Sequence, residues 1–309
     1  MIAVETPASR AMSEIRVAEG PRAAKARQAA ARMFSRALDE RSRPGGAPAI
    51  APGVPLIDIT HSIRPQAVAE AAYILWTSLS YFQPDSVHLV VVDPGVGTTR
   101  RPIASRTAWG VLVGPDNGVF SYVWAAAPPE LTVVLENPNY RRSEVSSTFH
   151  GRDVFGPAAA HIAAGVPLEH LGRAVRDEVH LPLPLVEIGR GEIRGKILHI
   201  DRFGNAVTSI GRLNWVASGL DLVPVFGPPV SEMLDPAVLT VFVCGHAVGR
   251  VCRTYGDVDK GVPMALVGSE GMLEIAVNRG HAADALGLAV GDDVFLIVSN
   301  LKGADNGGR

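Results

Sequence analysis

The chain has 309 residues, 47% hydrophobic and 19% charged, with 32 glycines, 23 prolines and a formal net charge of −2. This length points to two domains, the apolar content excludes a disordered or fibrous chain, and the near-zero charge leaves no basic field for nucleic acid. No apolar stretch reaches the roughly 18 residues of a membrane span, and the two cysteines, Cys244 and Cys252, fit neither a redox pair nor a zinc set, so they read as buried free thiols in a soluble cytoplasmic protein.

Residues 1–46 are rich in Ala and Arg and stand apart from the rest. The spacing predicts a helix over Pro21 to Arg41, but alanine supplies most of its apolar face, so this atypical segment is expected to be poorly ordered. From Leu56 the texture changes. The run Leu56–Ile59, the helical spacing of Pro65–Leu79 and the run Val87–Val92 form a β-α-β pattern. Further strands are predicted at Ile103–Arg106, Gly110–Val113 and Leu131–Leu135, and a helix at Asp153–Ala164. Apolar runs without polar alternation suit strands covered on both faces, so residues 47–182 are expected to form an α/β layer domain on a mostly parallel central sheet. Leu181-Pro182-Leu183-Pro184 is an extended connector. Beyond it, Ile193–Ile200, Ala206–Ile210, Val238–Val243, Met264–Val267, Leu273–Val277 and Val294–Ser299 predict a smaller, β-rich domain over 190–302.

Three clusters at element boundaries carry chemistry. In Val91 to Gly97 a Pro-Gly turn follows a buried strand and leads to Arg100, a geometry that presents the Asp93 carboxylate and the Arg100 guanidinium to one pocket. A turn aspartate satisfying loop amides beside an exposed arginine suits the same spacing. His150, in Phe149-His150-Gly151-Arg152-Asp153, precedes a helix start and can exchange a proton near neutral pH; a packed or solvated loop histidine is the competing reading. The third cluster is Asp201-Arg202-Phe203-Gly204-Asn205. Gly114-Pro115-Asp116-Asn117-Gly118 reads mainly as a turn, and Gly268-Ser269-Glu270-Gly271 as a hairpin. No metal site is expected: His61 follows Asp58 without a supporting ligand, and a metal-dependent hydrolase built on His61, His150 and Asp153 is the weakest alternative.

Taken together, Ile57 to His61, Val91 to Gly97, Gly114 to Gly118, Ser147 to Phe155, Asp201 to Asn205 and Ser269 to Asn278 resemble, in order and spacing over residues 47–302, the S-adenosyl-L-methionine (SAM) hydroxide adenosyltransferase family, the SAM hydrolases related to the bacterial fluorinase and chlorinase. The resemblance implies an N-terminal α/β domain, a C-terminal β-barrel-like domain and a homotrimer with active sites shared between subunits. It also implies metal-independent hydrolysis of SAM to adenosine and methionine without a cofactor. By position it places catalytic roles on Asp93, Arg100 and His150, and SAM contacts on Asp201, Phe203, Asn205, Ser269, Glu274 and Val277. Halide transfer is the runner-up within the family, because the resemblance places Tyr at the Asp93 position and Thr at the Val96 position of the fluorinase, part of a halide pocket that this sequence does not reproduce. The family opens with a strand followed by Thr-Asp-Phe-Gly, whose Asp grips the ribose hydroxyls of SAM, and then a Tyr-Val-Gly-x-Met-Lys-Gly-like helix. Residues 1–46 carry neither motif, so the sheet is expected to lack a central strand, and a non-catalytic SAM- or nucleoside-binding protein is the other alternative.

Overall fold

In the computed structural model of the protein, residues 1–4, 50–189, 191–227 and 231–298 are described. The helix predicted over Pro21 to Arg41, and the order of that segment, lie outside them. The chain divides into two compact units, Met1–Pro182 and Leu183–Arg309.

The first unit is an α/β layer. Its strands β1 (Ile2–Val4), β2 (Leu56–Asp58), β3 (Val87–Leu89), β4 (Pro102–Thr107), β5 (Gly110–Pro115), β6 (Leu131–Val134) and β7 (Ala174–Val175) form one sheet in the order β2-β1-β3-β5-β4-β6-β7. Its α-helices among the described residues are α1 (Val68–Leu79), α2 (Ser121–Ala126) and α3 (Gly156–Ala163). On α1 the buried Ala71, Ala72, Leu75, Trp76 and Leu79 recur at three- and four-residue intervals, which is why this stretch is helical and which face it buries. Against the sheet, α3 packs its run of buried alanines with Ile162, alongside Val87, Ala104, Val113 and Val133 from four strands.

Two expectations about this sheet are corrected. It is not mostly parallel: β3 and β5 pair in parallel, and every other described pair is antiparallel. The apolar runs reported burial correctly but carry no information on direction, which short connections decide. Between β4 and β5 the chain turns in two residues, Thr107 pairing with Gly110, and such a connection permits only an antiparallel pair. Gly110 has φ +126, and a Cβ there would fall 2.6 Å from the Ser86 carbonyl oxygen, so the turn depends on glycine. Nor does the sheet lack its central strand. Ile2–Val4 fills the gap between β2 and β3, pairing antiparallel with both. Three residues are too few for hydrophobic periodicity to register, yet they satisfy the facing backbone groups of two three-residue strands.

The second unit is a nearly closed, barrel-like sheet. Its strands are β8 (Glu187–Ile188), β9 (Glu192–Ile200), β10 (Ala206–Val216), β11 (Gly219–Val223), β12 (Glu232–Leu234), β13 (Leu239–Val243), β14 (His246–Gly249), β15 (Val251–Cys252), β16 (Pro263–Val267), β17 (Met272–Val277) and β18 (Asp293–Val298). The main path runs β14-β13-β18-β9-β10-β17-β16-β15, and β14 comes back into contact with β16, which brings the two ends together. Inward residues alternate along the strands, as in the buried Leu239, Val241 and Val243 of β13, and meet Ile197, Ile210, Leu222, Ile275 and Leu296 in one core. A short helix, α4 (Ala282–Leu286), ends at the left-handed Gly287. One cysteine expectation fails: Cys252 is buried, but Cys244 is exposed in the turn after β13. Among the described residues no helix is long and apolar enough to cross a membrane.

Candidate active site

Asp93, Arg100 and His150 meet in the first unit. Past β3, the Val96 N–H bonds the Asp93 carbonyl at 3.3 Å and the Thr98 N–H and hydroxyl bond the Gly95 carbonyl at 3.1 and 2.7 Å. These tight turns fold the chain back so that Arg100 returns to Asp93. The guanidinium engages the carboxylate through two contacts, Nε to Oδ1 at 3.0 Å and Nη2 to Oδ2, and the side chains are only 6% and 5% exposed. A turn aspartate beside an exposed arginine, the competing reading, does not describe this buried pair.

His150 immediately precedes a single π-turn, Gly151–Phe155, that leads into α3. The Cα of Gly151 faces Val91, where a Cβ would sit 3.3 Å from Cγ1, so the turn is held against the strand end that carries Asp93. The His150 Nδ1 lies 2.9 Å from Nη2 of Arg100. An arginine only donates, so Nδ1 accepts and the neutral ring carries its proton on Nε2. Partial burial, then the Arg100 charge, hold the imidazole below its ordinary pKa. Below the guanidinium, the Phe155 ring centroid is 5.1 Å from the Arg100 carbon, and Nη1 is buried without a hydrogen-bond partner among the described residues. Such an unmet donor costs about 1–3 kcal/mol until an acceptor reaches it.

The fully buried Asp153 is a structural residue. Its carboxylate takes Arg152 Nε at 2.7 Å and the Ser146 N–H at 2.9 Å, so it pins the loop before His150, and the Arg152 bond is the first cause of its lowered pKa. His61 bonds Asp58 at 2.8 Å. Among the described residues no group of three His, Cys, Asp or Glu side chains is placed to hold a metal.

The second unit carries the remaining candidates. Asp201, after β9, accepts the backbone N–H groups of Phe203 and Asn205 at 2.8 and 2.9 Å and the Asn205 side-chain N–H at 3.1 Å. Its carboxylate therefore builds the loop that presents its neighbours. Gly204 within that loop has φ +83, and a Cβ there would clash with the His281 ring, 2.2 Å from its Cγ. Phe203, Asn205 and Val277 line one open depression of ≈ 630 Å³ with Tyr255, Asn278 and Arg279. Ser269 is exposed at the turn between β16 and β17 and does not line it. Glu274 lies on β17 beside it, its pKa raised to about 7 by burial and then by the Asp201 and Glu270 charges. Sequence reasoning missed Tyr255, whose hydroxyl oxygen accepts the Asn205 side-chain N–H at 3.3 Å. Its short 3₁₀ turn is announced by a capping box between Thr254 and Asp257, a legible but unspecific signal.

Comparison with known proteins gives this geometry its context. The descriptions "SAM hydroxide adenosyltransferase N-terminal domain" and "SAM hydroxide adenosyltransferase C-terminal domain" match residues 45–172 and 195–295. The chain is similar to the (R)-S-adenosyl-L-methionine hydrolase of Thermus thermophilus, 43% identical over 80% of this chain and 89% of that protein. It is more distantly similar to the fluorinase of Actinopolyspora mzabensis, 30% identical over 78% of this chain and 86% of that one. Among solved structures it resembles an uncharacterized conserved protein from Thermotoga maritima, with a TM-score of 0.70 and 31% identity over 81% of this chain and 92% of that one. With both domains matched in order, the chain belongs to the SAM hydroxide adenosyltransferase family.

Proposed function

We propose that the protein hydrolyses SAM to adenosine and L-methionine, with Asp93, Arg100 and His150 acting on the nucleophile. One observation carries this reading: a buried guanidinium bridges a carboxylate and an imidazole drawn from separate loops. The oxygen of water attacks C5′ of SAM, the C5′–S bond breaks, its electron pair returns to sulfur, and methionine leaves as a neutral thioether with release of one proton. The sulfonium is already a good leaving group, so the residues act on the water alone. Arg100 favours hydroxide character, the Nε2 donor of neutral His150 orients the oxygen, and Asp93 supplies the negative charge that accepts the proton. The Asp93 carboxylate also opposes a halide nucleophile, which leaves the fluorinase reaction without support here. As the relatives' name specifies the (R) form, we assign the same epimer to this chain; the sulfonium sulfur is a stereocentre, and in-line attack fixes the direction of the C5′–S bond.

Purified protein incubated separately with each sulfonium epimer, without added halide or metal, is expected to give equimolar adenosine and methionine from the (R) form, and Asp93→Ala to lose about 10²-fold or more in turnover. Normal turnover by Asp93→Ala would remove the mechanism, and equal rates on both epimers would remove the stereochemical assignment.

Phe203, Asn205 and Val277, with Asp201 and Glu274 behind them, are proposed to hold the adenosyl end and its charge, Ser269 contributing from the turn. The assembly is proposed to be a homotrimer whose active sites each draw on two subunits. Under that arrangement, mixing inactive Asp93→Ala and Asn205→Ala proteins and allowing subunit exchange restores part of the activity, because some sites receive both intact halves. Light scattering at the mass of a single chain, or no restoration after exchange, would overturn it.

A further inference from the structure

The turn Asp116-Asn117-Gly118 directly follows β5 and holds both strand ends that lead to the ion pair. Asn117 donates its side-chain N–H to the Val92 carbonyl at 2.9 Å, one residue before Asp93, while its Oδ1 accepts the Val119 N–H at 3.2 Å. Next to it, the Asp116 N–H bonds the Arg101 carbonyl at 2.9 Å, and the Asp116 carboxylate takes Arg101 Nε at 2.8 Å and the Val179 N–H at 2.8 Å. Arg101 immediately follows Arg100. The Asp116 side chain is 1% exposed, so this grip is buried. Under it, β5 lies so close to the strand end that a Cβ on Gly114 would come 2.4 Å from the Val90 oxygen, which leaves little slack. We propose that Asp116 and Asn117 are positioning residues for the reaction: they tether the chain just before Asp93 and just after Arg100, and so set the separation of the buried carboxylate and guanidinium. The inference rests on the hydrolytic role assigned to that pair. Neither residue touches the pair itself: Asn117 acts through the Val92 carbonyl, and Asp116 through the backbone and side chain of Arg101.

The test is Asn117→Asp, which keeps the acceptor for Val119 and replaces only the donor to Val92 with an oxygen that repels it. A misplacement of about 1 Å at reacting groups costs on the order of 10²-fold, so kcat is expected to fall about 10- to 100-fold while KM for SAM stays within about twofold. Neutral Asn117→Ala should fall likewise, which separates the lost tether from the added charge. As pH drops and the introduced carboxyl regains a proton, it donates to Val92 again, so the ratio of variant to wild-type kcat rises; a merely structural defect leaves that ratio flat. Asp177→Ala removes the exposed second partner of Arg101 and should leave kcat unchanged. Wild-type kcat in Asn117→Asp and Asn117→Ala overturns the proposal even where Asp93→Ala is dead, whereas an active Asp93→Ala overturns the hydrolytic role itself. Should Asn117→Asp fail to fold, Asp116→Asn, which keeps the Val179 bond, tests the other tether: a fall in kcat at constant KM is expected, and wild-type kcat overturns the proposal.

Discussion

Replacing Arg100 by methionine is expected to lower turnover by about 10²–10³-fold, the range seen when a preorganised charge-stabilising donor is removed, and to cost about 3–5 kcal/mol of stability. The second effect follows from burial. With side chains 5% and 6% exposed, Asp93 and Arg100 shed their water together and are repaid by two direct contacts. Removing the cation strands a carboxylate that water barely reaches. Removing both charges in the double variant Asp93→Asn, Arg100→Met should return most of the lost stability, because a buried pair is worth little against neutral groups of similar volume. Activity should not return. Thermal unfolding and SAM turnover on the same three proteins check this; a double variant as unstable as Arg100→Met would mean that the arginine supports the fold through Phe155 packing rather than through its charge.

Acid should destabilise the first unit through His88. The ring is fully buried on β3, packs edge-on to Phe82 at 5.3 Å, and neither nitrogen has a partner among the described residues. Burial pushes its pKa from 6.5 to about 4. Since the folded value is depressed, the unfolded chain binds the extra proton between these limits. Stability is therefore full above pH 6.5 and falls as pH drops toward 4. At about 1.4 kcal/mol per pH unit, moving from pH 7 to 4.5 removes about 2–3 kcal/mol. His88→Leu should lose much less over the same interval in urea unfolding. Parallel losses in the two proteins would place the acid sensitivity elsewhere.

Much of this was legible in the sequence, and the misses have physical causes. Runs such as Val87–Val92 located the buried strands, and the Pro-Gly turn correctly brought Arg100 back to Asp93. Strand direction was not legible, because Val87 and Ala104 need the same apolar cover whichever way their strands run. Nor did the pattern reveal His88, a single polar residue that an apolar run absorbs. In the second unit, Asn205 and Phe203 stand out beside a turn glycine, whereas Tyr255 lies 50 residues away in sequence and joins them only because the sheet curves back on itself. The tether from Asn117 to the Val92 carbonyl was similarly hidden: a Pro-Asp-Asn-Gly stretch suits any turn, and its partner is a main-chain atom that leaves no mark on composition.

The place of β18 in its sheet has a consequence for synthesis. Asp293–Val298 is the last described strand, yet it pairs with β13 on one side and β9 on the other. A nascent chain that has reached only β17 has made ten of the eleven strands of that sheet and must hold the facing edges of β9 and β13 unpaired until β18 has left the ribosome. Open strand edges invite pairing with other chains. The first unit, whose seven described strands all lie within Met1–Pro182, completes its sheet well before that point, so translational pausing between β17 and β18 endangers the barrel and spares the sheet of the first unit.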